Sequence, residues 1–162
     1  MGENMPRSLP ARPVTLKAMS LDYLRMYQAK MAHQAARNVT QDPAWEEGRD
    51  FPEVSFPPVI VISGGSMFSG RIAGPDGYNA RMRALLRAAP DSDPEILEGL
   101  LAMYPAQTVF SPEQLAADEP VHFEHLYLID VRSYQGHRVI NLPALSLRFD
   151  AIDGWNIGEL PE

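Results

Sequence analysis

The run Val59-Ile60-Val61-Ile62-Ser63-Gly64-Gly65-Ser66-Met67-Phe68-Ser69-Gly70-Arg71-Ile72-Ala73 decides the fold. Val59 to Ile62 are all β-branched, which restricts χ1 and favours the extended chain. Gly64-Gly65 supplies two residues that tolerate positive φ, the requirement of a two-residue hairpin. Ser66 to Ala73 then alternates around Phe68 and Ile72, as a second strand should. Ser63-Gly64-Gly65-Ser66 also raises the question of a phosphate-binding loop. The nucleotide-binding spacings are missing and a strand follows instead of a helix, so the segment reads as a hairpin.

Toward the N-terminus, Leu21, Leu24, Met31 and Ala35 recur at helical spacing with Tyr27 beside them, while Arg25, Lys30 and His33 lie off that stripe. Ser20 suits an N-cap and Arg37-Asn38 an exit, which predicts a helix over 20–37. Residues 39–58 hold Pro43, Gly48, Pro52, Pro57 and Pro58 with Trp45, Phe51 and Phe56, a loop with aromatic anchors. Residues 1–18 contain three prolines and no hydrophobic period, and read as an extended or disordered arm.

Toward the C-terminus, Gly74-Pro75-Asp76-Gly77 reads as a turn. Met82, Leu85, Leu86 and Ala89 then share a helical face over 78–89. Asp93-Pro94-Glu95 starts a further helix that ends before Pro105, and Ser111-Pro112-Glu113-Gln114 has the form of a capping box opening a short helix to Ala117. After Pro120 the period returns to two. Val121, Phe123, Tyr127, Ile129 and Val131 fall on one face, and His122, Glu124, Leu126, Leu128, Asp130 and Arg132 on the other. Gln135-Gly136 and Asp153-Gly154 mark turns, and Pro143 marks a bend or an edge. The expected fold is α+β, mainly β: a small, strongly bent Sm/SH3-like barrel of about five strands, with an N-terminal helix and a helical insertion at 78–117 between strands 2 and 3. Residues 19–162 then form one domain, with Val59, Val61, Phe68, Ile72, Val131, Leu147, Phe149 and Ile152 in its core.

The chain of 162 residues is 45% hydrophobic and 22% charged, ordinary for a globular protein, and has no cysteine. Disulfides, thiolate metal sites and thiol nucleophiles are excluded. No apolar run reaches the ~20 residues of a membrane span, and the N-terminus lacks the apolar stretch of a signal peptide. A reduced, cytoplasmic setting is the expectation. The net charge of −7 is matched by residues 88–120 alone, which carry seven acidic side chains and no basic one. An acidic chain argues against sequence-independent nucleic-acid binding, which rests on phosphate neutralisation.

The order of motifs has a counterpart. Val59-Ile60-Val61-Ile62, Gly64-Gly65 and Phe68-x-Gly70-x-Ile72 resemble the first Sm motif. His125-Leu126-Tyr127-Leu128-Ile129-Asp130-Val131 followed by Leu145-Ser146-Leu147-Arg148 resembles the second. Over residues 59–158 the chain also resembles the gas-vesicle accessory family GvpU. That likeness lies in Ser69-Gly70-Arg71-Ile72, in Phe123-x-His125-Leu126-x-Leu128-x-Asp130-Val131-Arg132, and in Arg148-Phe149-x-x-Ile152-Asp153-Gly154-Trp155-Asn156-Ile157-Gly158. This resemblance implies a bacterial, non-enzymatic structural protein that acts through protein–protein contacts in gas vesicle assembly or clustering. An RNA-binding Sm-like ring, or a small subunit of another multiprotein assembly, are the alternatives.

No nucleophile stands in a recognisable context such as Gly-x-Ser-x-Gly, so neither an enzyme nor a cofactor is expected. Asp130, Asp150 and Asp153 could pair as carboxylates only through the tertiary fold. His122, Glu124 and His125 are the one local cluster of metal-ligand types, but strand alternation turns His125 away from the other two, and no metal is expected. Arg71, Arg81, Arg83 and Arg87 form a basic span, expected to pair with the acidic segment 91–119 or to be solvated. The candidate interaction residues are Arg7, Arg12, Trp45, Phe51, Arg71, Arg83, Arg87 and Trp155, serving a protein partner or a homo-oligomer. Within that set Arg7 and Arg12, with Lys17, are expected to meet the acidic segment of a neighbouring copy, while Trp45, Phe51 and Phe56 supply apolar anchors or cover their own barrel. The strand edges are expected to pair with another chain, Pro143 and the glycine-rich hairpin leaving them open.

Overall fold

The glycine hairpin forms as the sequence predicts. β1 (Pro58–Ser63) pairs antiparallel with β2 (Ser66–Ile72), and Gly64 and Gly65 turn the chain at φ of 57° and 78°. These features belong to a computed structural model that describes residues 16–41 and 57–159. β3 (His125–Gln135), β4 (Arg138–Arg148) and β5 (Gly154–Ile157) complete one antiparallel sheet in the order β4-β3-β2-β1-β5. The helices among the described residues are α1 (Leu16–Gln41), α2 (Gly74–Ala88), α3 (Pro94–Ala102) and α4 (Pro112–Ala116).

The sheet is open, and the expected closed barrel is corrected accordingly. β4 and β5 stand at opposite edges, and no pairing joins them among the described residues. Closure demands continuous staggered pairing around the whole circumference. Here a 3-10 turn at Phe149–Ala151 separates the two strands, and β5 ends after four residues. The glycine hairpin joins two interior strands, so it leaves no edge open.

α1 packs on the sheet face that carries Val59, Val61, Ile72, Leu126, Leu128 and Val131, and buries Leu24 among them with Phe149 and Ile152. Six of the eight expected core residues are buried, while Phe68 and Leu147 are half-buried at the margin. α1 is longer than the expected 20–37 at both ends. Ser20 is therefore no N-cap; it lies inside the helix, where its carbonyl accepts from the Trp155 indole at 2.9 Å. His33, expected off the buried stripe, is buried against Phe110, with Nε2 2.9 Å from the Gln114 carbonyl. A second small core of Ala32, Ala36 and Phe110 explains this: α4 covers a side of α1 that a one-face reading leaves in solvent.

Gly74-Pro75-Asp76-Gly77 is the first turn of α2 and not a free turn. Proline is tolerated there because first-turn amides have no helical partner. Gly74 takes φ 67°, and a Cβ at that position would lie 2.7 Å from the Ala32 Cβ, so α1 and α2 cross at bare backbone. Asp76 is buried and accepts from Thr108 Oγ1 at 2.7 Å and the Val109 amide at 2.9 Å, which fastens the chain between α3 and α4 to α2. Asp93 caps α3, and Ser111 with Gln114 forms the expected capping box.

β3 contains an irregularity that alternation misses. Ser69 pairs with Arg132 but Arg71 with Ile129, so Asp130 and Val131 together oppose Gly70. Asp130 takes φ 50°, and a Cβ on Gly70 would meet Val131 Cγ2 at 3.0 Å. This bulge shifts the burial phase by one residue: Leu126 and Leu128 face the α1 core, and so does Val131. The two-face assignment of β3 is corrected on that ground.

Gln28 joins helix to sheet. Its side chain is 1% exposed; Nε2 donates to the His125 carbonyl at 2.7 Å, and Oε1 accepts from the Tyr127 amide at 2.9 Å. The amide takes the place of the strand partner that β3 loses where β2 ends. Gln28→Leu leaves both backbone groups buried and unpaired, each costing about 1–3 kcal/mol. Urea unfolding should register a loss of about 2–6 kcal/mol.

Candidate functional site

Four residues of α1, Tyr23, Met26, Tyr27 and Lys30, recur at helical spacing on the side of the helix facing the short edge strand. Opposite them stand Val59 of β1 with Trp155 and Ile157 of β5, and the Trp155–Ser20 hydrogen bond holds the two walls together. Between the walls lies an open groove of about 640 Å3. Its sides are almost wholly carbon. Tyr23 is 62% exposed and Ile157 63%, so the rim carries large apolar surface into solvent. The exposed Lys30 adds one positive charge at the rim.

The β5 edge itself is blunted. The Gly158 amide donates to the Pro58 carbonyl, which turns the backbone groups of Trp155 and Ile157 outward. The Ile157 amide is taken by the Asn156 side chain at 2.8 Å. A short edge with a capped donor is a poor template for adding a strand. Side-chain burial in the groove is the stronger means of contact.

The basic span is largely consumed inside the protein. Asp130, aimed by its bulge, accepts from Arg71 and from Arg81 at 2.7 Å. Burial pushes the Asp130 carboxyl up, but the two guanidiniums outweigh that and hold it below its ordinary value of 3.8. Arg83 donates to the carbonyls of Leu101 and Tyr104 at 3.1 and 2.8 Å. Arg87 stands exposed at the C-terminal turn of α2. The expectation for this span is pairing with the carboxylates of residues 91–119 or a solvated face; Arg71 and Arg81 instead meet a carboxylate of β3, and Arg83 meets the carbonyl of Leu101, at the negative end of the α3 dipole, and that of Tyr104 just beyond the helix.

The other candidates are separate. His122 and Glu124 border a polar cleft with Arg25 and Arg148. Asp150 accepts from Arg148, while Asp153 accepts from the Gly64 amide at the hairpin tip, so the three aspartates stand apart with different partners. Among the described residues no group of three or more His, Cys, Asp or Glu side chains could hold a metal ion. No helix among them is long and apolar enough to cross a membrane. Arg7, Arg12, Trp45 and Phe51 lie outside the described residues.

Among the described residues, Trp155 is the only expected interaction residue that lines the groove. Tyr23, Met26, Lys30 and Ile157 escaped sequence reading. Their own helical spacing on α1 was visible, but the Leu21–Leu24–Met31 stripe accounted for the helix without them. Comparison with protein-family models, curated proteins and solved structures returns no match.

Asp130 generates a pH test. Its carboxyl is depressed in the folded state, so its contribution to stability is present above the unfolded value and is lost as pH falls through the folded one. Asp130→Asn keeps a residue that tolerates positive φ but removes the charge. Thermal melts should show wild type above the variant at neutral pH, with the gap closing below pH 3.8.

Proposed function

We propose that this chain is a non-catalytic assembly protein that works by protein–protein contact, with the groove between α1 and β5 as its binding surface. The observation that carries the reading is the groove's composition: exposed tyrosine, methionine and isoleucine side chains beside a half-buried tryptophan, around an open apolar trough. Contiguous exposed apolar surface of this kind marks an interaction site on a folded protein, and aromatic residues with methionine are the types enriched at such sites. The walls offer few polar groups to orient a reacting substrate, which favours binding over chemistry.

The strand order β4-β3-β2-β1-β5, preceded by a helix and with a 3-10 turn before the last strand, is compatible with an Sm/SH3-like topology in an opened form. The RNA-binding alternative has less support, since Arg71, Arg81 and Arg83 all make intramolecular hydrogen bonds. The likeness to GvpU in three ordered motifs supplies the setting we propose, the assembly or clustering of gas vesicles in a bacterial cytoplasm.

Ile157→Asp places a charge on the groove rim at a position 63% exposed. The folding stability should change by no more than about 0.5 kcal/mol, as at most surface positions. Co-flotation of the purified chain with isolated gas vesicles should fall at least about tenfold in the variant, the scale of losing one anchoring residue. Failure of the wild-type chain to float with vesicles removes that setting. Unimpaired flotation of the variant removes the groove from the reading.

A further inference from the structure

We infer that the groove receives helix α3 of a second copy of this chain, so that copies join head to tail. The inference rests on the reading of the groove as a protein-binding surface and names its occupant.

α3 is built as a projecting ligand. None of its residues is buried. Ile96 and Leu100 of α3 and Met103 at its C-cap, four and then three residues apart, form one stripe and are 64%, 39% and 67% exposed. The stripe is thus the apolar face of an amphipathic helix turned to solvent. Anchors at this spacing are those by which a helix lies in an apolar groove. Gly99 sits beside the stripe, and the space where its Cβ would stand is empty, which lets another surface approach the helix backbone closely. The helix is also fastened at both ends before any contact. Asp93 caps its first turn, and Arg83 of α2 holds the carbonyls of Leu101 and Tyr104. A preformed helix lowers the ordering cost of association.

Groove and helix match in length and in charge. The α1 wall runs from Tyr23 to Lys30 and the stripe from Ile96 to Met103, each spanning seven residue steps, or roughly 10 Å at the helical rise. Lys30 stands exposed at the groove rim, whereas Glu95 stands exposed on the flank of the α3 stripe, within a 33-residue segment (88–120) that has no basic side chain. A membrane surface fits α3 poorly, because helices that lie on anionic lipid carry Lys and Arg on the polar face. α3 is exposed in the same structure in which the groove is open, so the two surfaces do not meet within one copy. A contact between unlike surfaces propagates, closing into a ring or growing as a chain.

Sedimentation velocity on the full chain from about 1 µM to about 1 mM, the range of transient contacts, tests this. The wild-type chain should grow in mass with concentration beyond two copies. Ile157→Asp in the groove and Ile96→Asp on α3 should each weaken association by about tenfold or more. An equimolar mixture of the two variants should then form a species of two copies and nothing larger, since each retains the surface the other lacks. As a second arm that leaves apolar packing intact, Lys30→Glu should weaken association, as should Glu95→Lys, and mixing these charge-reversed chains should restore it. A wild-type chain that stays monomeric throughout overturns the inference, while vesicle flotation lost in Ile157→Asp would still uphold the groove as a binding surface. It is equally overturned if Ile157→Asp lowers the mass and Ile96→Asp does not. The groove would then take a like surface of another copy or a flanking segment of its own chain.

Discussion

The amide of Gln28 is the interaction on which the arrangement depends. β2 ends at Ile72 while β3 continues, and the His125 carbonyl and Tyr127 amide would otherwise be backbone groups without a strand partner. A glutamine side chain carries a donor nitrogen and an acceptor oxygen at the right separation to stand in for a peptide unit, and here it does so from a helix. α1 is thereby fixed in position and rotation on the sheet. With the helix so placed, Leu24 faces the main core, Ala32 and Ala36 meet Phe110, and Tyr23, Met26 and Lys30 are left along the β5 side.

Close backbone approach is the second constraint. Gly74 lets α1 and α2 cross with only the Ala32 methyl between them, and Gly70 lets the bulge of β3 press against β2. The bulge projects the Asp130 carboxylate to where Arg71 of β2 and Arg81 of α2 both reach it. Tyr78, one turn before Arg81, packs on Tyr127 with ring centroids 5.2 Å apart. α2 is therefore aligned along β3 by one aromatic contact and one ionic contact. Exposed ion pairs contribute little stability singly. Their value here lies in orientation, since α2 in turn carries Arg83, which positions α3.

Charge separates along the same lines. Arg81 and Arg83, which follow β2, are drawn inward by Asp130 and by carbonyls of the α3 end, while the seven carboxylates of residues 88–120 have no basic neighbour in sequence and remain at the surface. The result is a projecting acidic, apolar helix on one part of the molecule and an apolar trough with a lysine at its rim on another. Complementarity of this type sets register and encounter more than strength; the apolar anchors supply the strength.

Local chemistry was legible directly. The β-branched run with Gly64-Gly65 determined the first hairpin, Asp93 and the Ser111–Gln114 box determined two helix starts, and the change of period determined which parts are strand and which helix, because each depends on residues within one turn or one strand of each other. The order of five strands and a preceding helix was likewise visible as a pattern. What lay beyond it were features that depend on residues distant in the chain. The bulge at Asp130 exists because Gly70, sixty residues earlier, has no Cβ to oppose it. His33 is buried because α4 comes to lie over α1, and the sheet stays open because the strands at its two edges are kept apart. The groove is the clearest case. Tyr23, Met26 and Ile157 are apolar residues of kinds that usually enter a core, and periodicity alone cannot say which of two apolar stripes on a helix will be covered. Only the rotation imposed on α1 by Gln28, with Trp155 holding its first turns, decided that this stripe faces solvent.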